Sequence, residues 1–143
     1  MKPQINILKN ELIIPSSTSY LSDVRDFVEM NGSTIGLDQK TIAHISLAVD
    51  EACTNIIKHA YDNSIDNEIL IRIKTNKKLF SITLKDNGKH FNPSLIADPN
   101  IAESQKMKKG GGLGMFLMKK LMDEVKYKAK NNGNELLLIK HLN

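Results

Sequence analysis

A run of apolar residues at three- and four-residue steps constrains the fold more than any other feature of the sequence. Its members are Ile42, Ile45, Val49, Ala52, Ile56 and Ala60. Such steps place side chains in one stripe along an α-helix, so this region is predicted to form a long helix that packs one face into the core. Asp38 is a suitable N-cap, and we expect the helix to end near Tyr61.

The opposite side of this predicted helix is polar. Glu51, Asn55 and Lys58 align there with His44. Glu51 and Asn55 are one turn apart, so both side chains can contact the same ligand. A carboxylate can hold a water or a hydroxyl group, and an amide can bind a divalent cation. Polar helix faces are usually only solvated, so the pair needs support from other parts of the chain.

Length and composition are typical of one soluble globular domain. The chain has 143 residues, of which 41% are apolar and 25% are charged. No apolar run approaches the roughly 20 residues that span a bilayer, and the N-terminal residues lack the apolar segment of a signal peptide. We therefore expect a cytoplasmic protein with no membrane contact. The one cysteine, Cys53, falls on the core side of the predicted helix and is expected to be a small buried apolar residue.

The net charge of +4 does not by itself indicate a nucleic-acid partner. Nearly all of the positive charge comes from lysines that are spread along the chain, and Arg25 and Arg72 are the only arginines. Nucleic-acid binding surfaces concentrate basic and aromatic residues in one patch. We expect no direct contact with nucleic acid.

Alternating apolar residues predict the strands of a sheet. These patterns cover residues 5–14, 69–73, 79–86, 125–129 and 136–139. We expect the first to form a single strand that Pro15 ends, and the last two to form a terminal hairpin. Asp86 has the parity of the apolar face of its strand. A carboxylate that points toward the core is destabilising unless a donor meets it, so Asp86 is expected to bind nearby backbone or a ligand.

A first helix is predicted between the first strand and the central helix. Its N-cap candidates are Ser16, Ser17, Thr18 and Ser19, and its apolar face carries Tyr20, Leu21, Val24, Phe27 and Val28. Asn31 and Gly32 are expected to end it. Arg25 lies opposite its apolar face.

A glycine cluster opens a further apolar helix in the last third of the chain. It consists of Gly110, Gly111, Gly112, Leu113 and Gly114. Glycines at the start of a helix let backbone N–H groups approach a phosphate, and the helix dipole favours the negative charge. The irregular segment before the cluster, about residues 92–111, is longer than an ordinary connection and has the length of a lid.

Three segments together indicate an ATP site: the pair of Glu51 and Asn55, the Asp86-Asn87-Gly88 turn, and the glycine cluster. At these positions the chain resembles the Bergerat-fold (GHKL) ATPases, the superfamily of gyrase, heat-shock chaperones, histidine kinases and mismatch-repair proteins. The strongest likeness is to the anti-sigma-factor serine/threonine kinases of the RsbW and SpoIIAB type. It is carried by Asp-Glu-Ala-Cys-Thr-Asn at 50–55 with His-Ala-Tyr at 59–61, and by the glycine cluster with the segment 121–125.

The resemblance implies an α/β two-layer sandwich, with a mixed and mainly antiparallel sheet covered on one face by three helices, in one domain over residues 1–143. It implies that Glu51 is the general base, that Asn55 is a magnesium ligand, and that Asp86 accepts a hydrogen bond from the adenine amino group. The other expected nucleotide contacts are Gly88, Phe91, Gly110, Gly111, Gly112, Leu113 and Gly114.

The resemblance also implies partners. The expected substrate is a STAS-domain anti-anti-sigma protein, phosphorylated by ATP on a serine or threonine, and the expected competing partner is a sigma factor held inactive by a kinase homodimer. Arg25 is our candidate for a partner contact.

Two alternatives remain open. One is the detached ATP-binding domain of a histidine kinase, although no helical hairpin with a phospho-accepting histidine precedes the first predicted strand. The other is a module that binds ATP only as a conformational ligand, although the presence of Glu51 argues against it.

Overall fold

The computed structural model describes residues 6–8, 10–92 and 117–142. Its sheet contains the strands β1 (Asn6–Leu8), β2 (Glu11–Pro15), β3 (Glu68–Thr75), β4 (Leu79–Asp86), β5 (Glu124–Lys130) and β6 (Gly133–His141). The six strands lie in the order β1-β2-β3-β4-β6-β5, and every pairing among them is antiparallel. The prediction of a mainly antiparallel sheet is confirmed.

Helices form the second layer. After a 3₁₀ turn at Thr18–Tyr20 come α1 (Leu21–Thr34) and α2 (Gln39–Asn55), which continues as a π-helical turn at Ile56–Ala60. Residues 117–121 are also helical. The two-layer sandwich is therefore confirmed. Among the described residues, no helix has the length and apolar content that a membrane span needs.

The core lies between the helices and one face of the sheet. Alternate residues of β3 and β4 are buried, as expected for strands with one covered face, and they pack with the apolar stripe of α2. The fully buried members of these strands include Ile69, Ile71, Phe80, Ile82 and Leu84. Cys53 is buried in the same core, as predicted, and burial raises the pKa of its thiol.

The prediction of one strand over residues 5–14 is wrong. The structure has a hairpin there, in which β1 pairs with β2 and Leu8 lies opposite Glu11. Asn10 stands in the turn, and asparagine suits this position because it tolerates turn conformations. The hairpin places β2 beside β3, where Leu12 and Ile14 reach the core.

The prediction that Asn31 and Gly32 end the first helix is also wrong, because α1 continues to Thr34. Gly32 is buried inside it, and a Cβ atom at this position would come within 2.8 Å of Ile42 Cγ1. The glycine therefore permits the close approach of α1 and α2. The predicted N-cap of α2 is confirmed, since the Asp38 carboxylate accepts a hydrogen bond of 2.8 Å from the Thr41 backbone N–H.

Candidate active site

The end of the central helix and the end of β4 meet in the structure. The Lys89 N–H donates to the Ala60 carbonyl at 2.9 Å. A Cβ atom at Gly88 would lie only 2.4 Å from that same carbonyl oxygen, so a side chain there would displace the turn. The Asp86-Asn87-Gly88 turn is thus in direct contact with the end of the helix that carries Glu51 and Asn55.

Asp86 is buried at the end of β4, with 5% of its surface exposed. Its Oδ1 accepts hydrogen bonds from the Gly88 N–H at 2.8 Å and from Asn134 Nδ2 at 2.9 Å. Its Oδ2 is buried and has no hydrogen-bond partner among the described residues. Burial raises the pKa of this carboxyl, and the hydrogen bonds from Asn134 and Gly88 lower it in part. The predicted inward carboxylate therefore has one satisfied oxygen and one free acceptor.

Glu51 lies partly buried on α2. Burial raises the pKa of its carboxyl, the neighbouring Asp50 charge raises it further, and the Lys58 charge opposes both. A carboxylate with a raised pKa binds a proton more strongly, which suits a general base.

Asn55 is buried, with 4% of its surface exposed, although the sequence places it on the polar side of α2, opposite the apolar stripe. Asn55 is the last residue of α2, directly before the π-helical turn at Ile56–Ala60. Nδ2 of Asn55 is buried and has no hydrogen-bond partner in the part of the chain that the structure describes. A buried unpaired amide is destabilising on its own, and it is suited to a polar ligand.

His59 follows one turn later. Its Nε2 is also buried, and none of residues 6–8, 10–92 and 117–142 forms a hydrogen bond with it. Burial lowers the pKa of the ring, and the charges of Lys58 and Lys89 act in the same direction against the opposing charge of Asp62. The ring is therefore neutral at physiological pH. Its centroid lies 5.8 Å from that of Phe91.

Phe91 packs between two aromatic rings, since its centroid is also 6.3 Å from that of Tyr127. This position is at the end of the described segment 10–92. Of the predicted lid, about residues 92–111, only residue 92 is described. The glycine cluster at 110–114 also lies outside the described residues. The roles of Phe91 and of the glycines stay predictions.

Arg25 is on α1 and pairs with Asp50, the residue before Glu51. The distance from Arg25 Nε to Asp50 Oδ2 is 3.0 Å, and 52% of the arginine side chain is exposed. The other oxygen of Asp50 is buried without a partner. Arg25, the predicted partner-contact residue, therefore forms an ion pair with α2, the helix that carries the candidate base Glu51.

Sequence reasoning missed two residues that build this site. Asn134 follows the turn between β5 and β6, in the predicted terminal hairpin, and its side chain binds Asp86 on the neighbouring strand β4. Tyr61 was assigned only to the end of the central helix. Its hydroxyl donates to the Glu68 carbonyl at 2.6 Å and accepts from the Asn87 N–H at 2.8 Å.

Replacing Tyr61 with phenylalanine is expected to lower the free energy of unfolding by about 1–3 kcal/mol, because it leaves a partly buried backbone N–H and carbonyl without their shared partner. Urea unfolding followed by circular dichroism measures the change. Tyr20→Phe is the matched control and should change stability by less than about 0.5 kcal/mol. Equal stability of the two variants would mean that the Tyr61 hydroxyl does not fasten the Asn87 turn.

A family model described as histidine kinase-like ATPase domain matches residues 14–140. The chain belongs to the histidine kinase-like ATPase family. The match includes Glu51, Asn55 and Asp86, and the family's own activity indicates ATP as the nucleotide.

Curated relatives within this ATPase family are serine-protein kinases named RsbW. The chain is 31% identical to that of Bacillus velezensis, over 93% of this chain and 85% of the relative. It is 30% identical to that of Listeria monocytogenes serovar 1/2a, over 94% and 88%, and 29% identical to that of Bacillus subtilis, over 93% and 85%. The chain therefore groups with the RsbW branch of the family.

A solved structure supports the fold of this ATPase family. The histidine kinase domain of the blue-light activated histidine kinase from Erythrobacter litoralis EL346 aligns with a TM-score of 0.57. The alignment covers 90% of this chain and 62% of that chain, at 18% sequence identity. At this identity the likeness establishes the fold alone.

Proposed function

We propose that the protein is an ATP-dependent serine/threonine kinase and anti-sigma factor. The observation that carries the proposal is the pair of buried, unpartnered polar atoms on Asn55 and Asp86, near the ends of α2 and β4. Glu51 stands one turn before Asn55 on the same helix. The identity to the RsbW serine-protein kinases over most of both chains supports the type of acceptor.

In the proposed reaction, the hydroxyl oxygen of a substrate serine or threonine bonds to the γ-phosphorus of ATP. The bond from that phosphorus to the bridging oxygen breaks, and ADP leaves. Glu51 takes the hydroxyl proton, and Asp86 accepts a hydrogen bond from the adenine amino group. Enzymes of this kind act mainly by aligning the acceptor and stabilising charge on the phosphoryl oxygens.

Asn55 would hold the proposed magnesium ion through its amide oxygen, whereas its unpaired amide nitrogen is a donor that suits a phosphate oxygen. Magnesium sites at nucleotides commonly have one or two protein oxygen ligands, with phosphate and water oxygens completing the shell. The described residues contain no cluster of three or more acidic, histidine or cysteine side chains that could hold a metal ion by themselves. An ion held by Asn55 and the phosphates would supply positive charge to the transferring oxygens.

The remaining site residues belong to the same proposal. Gly88 and Phe91 would adjoin the base, residues 110–114 would bind the phosphates, and residues 92–111 would form the lid. The whole chain, 1–143, would act as one domain.

The proposed partners are a STAS-domain anti-anti-sigma protein as substrate and a sigma factor as the sequestered protein. A homodimer and a cytoplasmic location are part of the proposal, because bacterial sigma factors act on RNA polymerase in the cytoplasm. Arg25 is the proposed partner contact, and its exposed guanidinium beside Asp50 supports that role.

The test is incubation of the purified protein with γ-labelled ATP, magnesium and STAS-domain proteins of the same genome. We expect label on a serine or threonine of one of them, and loss of that label with Asn55→Ala. Asn132→Ala, which removes an exposed amide from the β5–β6 turn, is the matched control and should retain full labelling.

Two results would contradict the proposed kinase. Binding of ATP without label on any partner would favour a module that uses ATP as a conformational ligand. Label on a histidine would favour a histidine-kinase catalytic domain. The bond type decides between serine and histidine, because phosphohistidine is lost in acid and phosphoserine is not.

A further inference from the structure

Asn134 has the most completely satisfied polar side chain near Asp86. It is buried at the start of β6, with 3% of its surface exposed. Its Nδ2 donates to Asp86 Oδ1 and to the Lys89 carbonyl, each at 2.9 Å. Its Oδ1 accepts from the Phe91 N–H at 3.3 Å and from the Tyr127 hydroxyl.

These four contacts fix the direction of the amide. Two donors meet its oxygen, and two acceptors meet its nitrogen. A reversed amide would place its nitrogen against the N–H of Phe91 and the Tyr127 hydroxyl, and its oxygen against the Asp86 carboxylate. A hydroxyl group could donate only one of the two hydrogen bonds that the amide nitrogen donates, and a methyl group could donate neither. The chain therefore holds an N–H donor firmly against one oxygen of Asp86.

As a result, the two carboxylate oxygens of Asp86 differ in their hydrogen bonds. Oδ1 accepts from both Asn134 and Gly88, whereas no described residue donates a hydrogen bond to Oδ2. Rotation about χ2 would break two hydrogen bonds to a charged group, and such bonds are worth more than neutral ones. The free oxygen is thereby kept in one direction.

We propose that Asn134 is the positioning residue for base recognition: it holds Asp86 Oδ1 so that Oδ2 alone faces the 6-amino group of adenine. The same side chain ties the backbone at 89–91 to β5 and β6. This inference rests on the proposed ATP site and adds a residue, on a distant strand, that decides which purine the site accepts.

The test measures affinity for two nucleotides, ATP and the triphosphate of purine riboside, which lacks the 6-amino group. The folded wild-type protein should prefer ATP by about 10- to 100-fold, the effect of one hydrogen bond to a charged acceptor. Asn134→Leu is close in size and removes all four hydrogen bonds. We expect its preference to fall to within about threefold of unity, mainly through weaker binding of ATP.

If the role of Asn134 is purely structural, Asn134→Leu will lower the affinity for both nucleotides alike or lower only the unfolding midpoint. An unchanged preference for ATP in Asn134→Leu would overturn the inference. Asn132→Leu, in the exposed turn, should keep the wild-type preference. If Asn134→Leu does not fold, Tyr127→Phe decides. It removes one of the two donors that orient the amide, so a fall of a few-fold in the preference supports the inference and no fall overturns it.

The outcomes separate the inference from the proposed site. If the wild-type protein binds both nucleotides equally, the proposed contact of Asp86 with adenine fails. If the wild-type protein prefers ATP and the Asn134 and Tyr127 variants do so to the same extent, the inference about Asn134 alone fails.

Discussion

Replacing Glu51 with glutamine is expected to slow phosphoryl transfer to the protein substrate by about 10²- to 10⁴-fold. Glutamine keeps the length and shape of the side chain, but its amide cannot take the hydroxyl proton. Asp86 and Asn55 are unchanged, so the dissociation constant for ATP should stay within a few-fold of the wild-type value. A loss of rate without a loss of binding is the signature of a group that acts in the transition state.

The pH dependence of the phosphorylation rate is a second test of Glu51 as the general base. Burial and the Asp50 charge raise the pKa of the Glu51 carboxyl above its usual value of 4.5. The base is inactive once protonated, so the rate should fall on the acid side at a pH above the range of an ordinary glutamate. This acid limb should disappear in Glu51→Gln, because no titrating base remains.

Single-turnover phosphorylation at saturating ATP measures the rate, and equilibrium dialysis measures binding. Glu68→Gln is the matched control, since this exposed glutamate lies at the start of β3 and takes no part in the proposed reaction. It should transfer phosphate at the wild-type rate. A Glu51→Gln variant as fast as wild type would remove Glu51 from the role of base.

The sequence predicted well those elements whose apolar pattern lies within one continuous segment of the chain. The stripe of α2 repeats along a single helix, and Asp86 could be assigned to the core face from the alternation of β4 alone. The first hairpin was missed because isoleucine and leucine on both sides of Asn10 read as one strand up to Pro15, although the polar run Lys9-Asn10-Glu11 interrupts them at the turn. Gly32 was misassigned because its close contact with Ile42 comes from helix packing, not from its neighbours in the chain.

The sequence predicted the candidate site residues on α2 and β4, but it missed the residues that hold Asp86 and the Asn87 turn in place. Glu51, Asn55 and Asp86 are candidate site residues that stand in recognisable local contexts. Asn134 binds Asp86 across 48 positions of sequence, and Tyr61 binds the Asn87 N–H across 26. Only the register of β4 against β6, which sets Asp86 opposite Asn134, brings the first pair together. Nothing in the local sequence of either residue encodes that pairing.

Replacing Asp86 with asparagine is expected to weaken ATP binding by about 10- to 100-fold and to raise the stability of the folded protein at neutral pH. An asparagine Oδ1 can still accept from Gly88 and Asn134, which keeps the side chain in place. Its amide nitrogen then takes the position of the free Oδ2. A donor there faces the adenine amino group, itself a donor, so a hydrogen bond to a charged acceptor is lost.

The stability change has the opposite sign because the wild-type carboxylate is costly to bury. Burial raises the pKa of Asp86 above its usual 3.8, even after the hydrogen bonds that lower it. Between 3.8 and the raised value the folded state binds more protons than the unfolded state, so the stability of the wild-type protein falls as pH rises through this window. At neutral pH the whole penalty is present, and asparagine removes it. The advantage of the variant should shrink as pH falls toward 3.8.

Urea midpoints from pH 4 to 7, with ATP and GTP affinities measured in parallel, test both signs. Asp66→Asn, an exposed carboxylate in the loop before β3, should leave all three quantities near the wild-type values. The ratio of ATP to GTP affinity should fall in Asp86→Asn, since the 6-oxo group of guanine can accept from the new amide. A variant that loses stability along with binding would mean that Asp86 holds the fold together. Gain of stability with loss of binding would mean that the chain keeps a destabilising charge in its core because ATP recognition needs it.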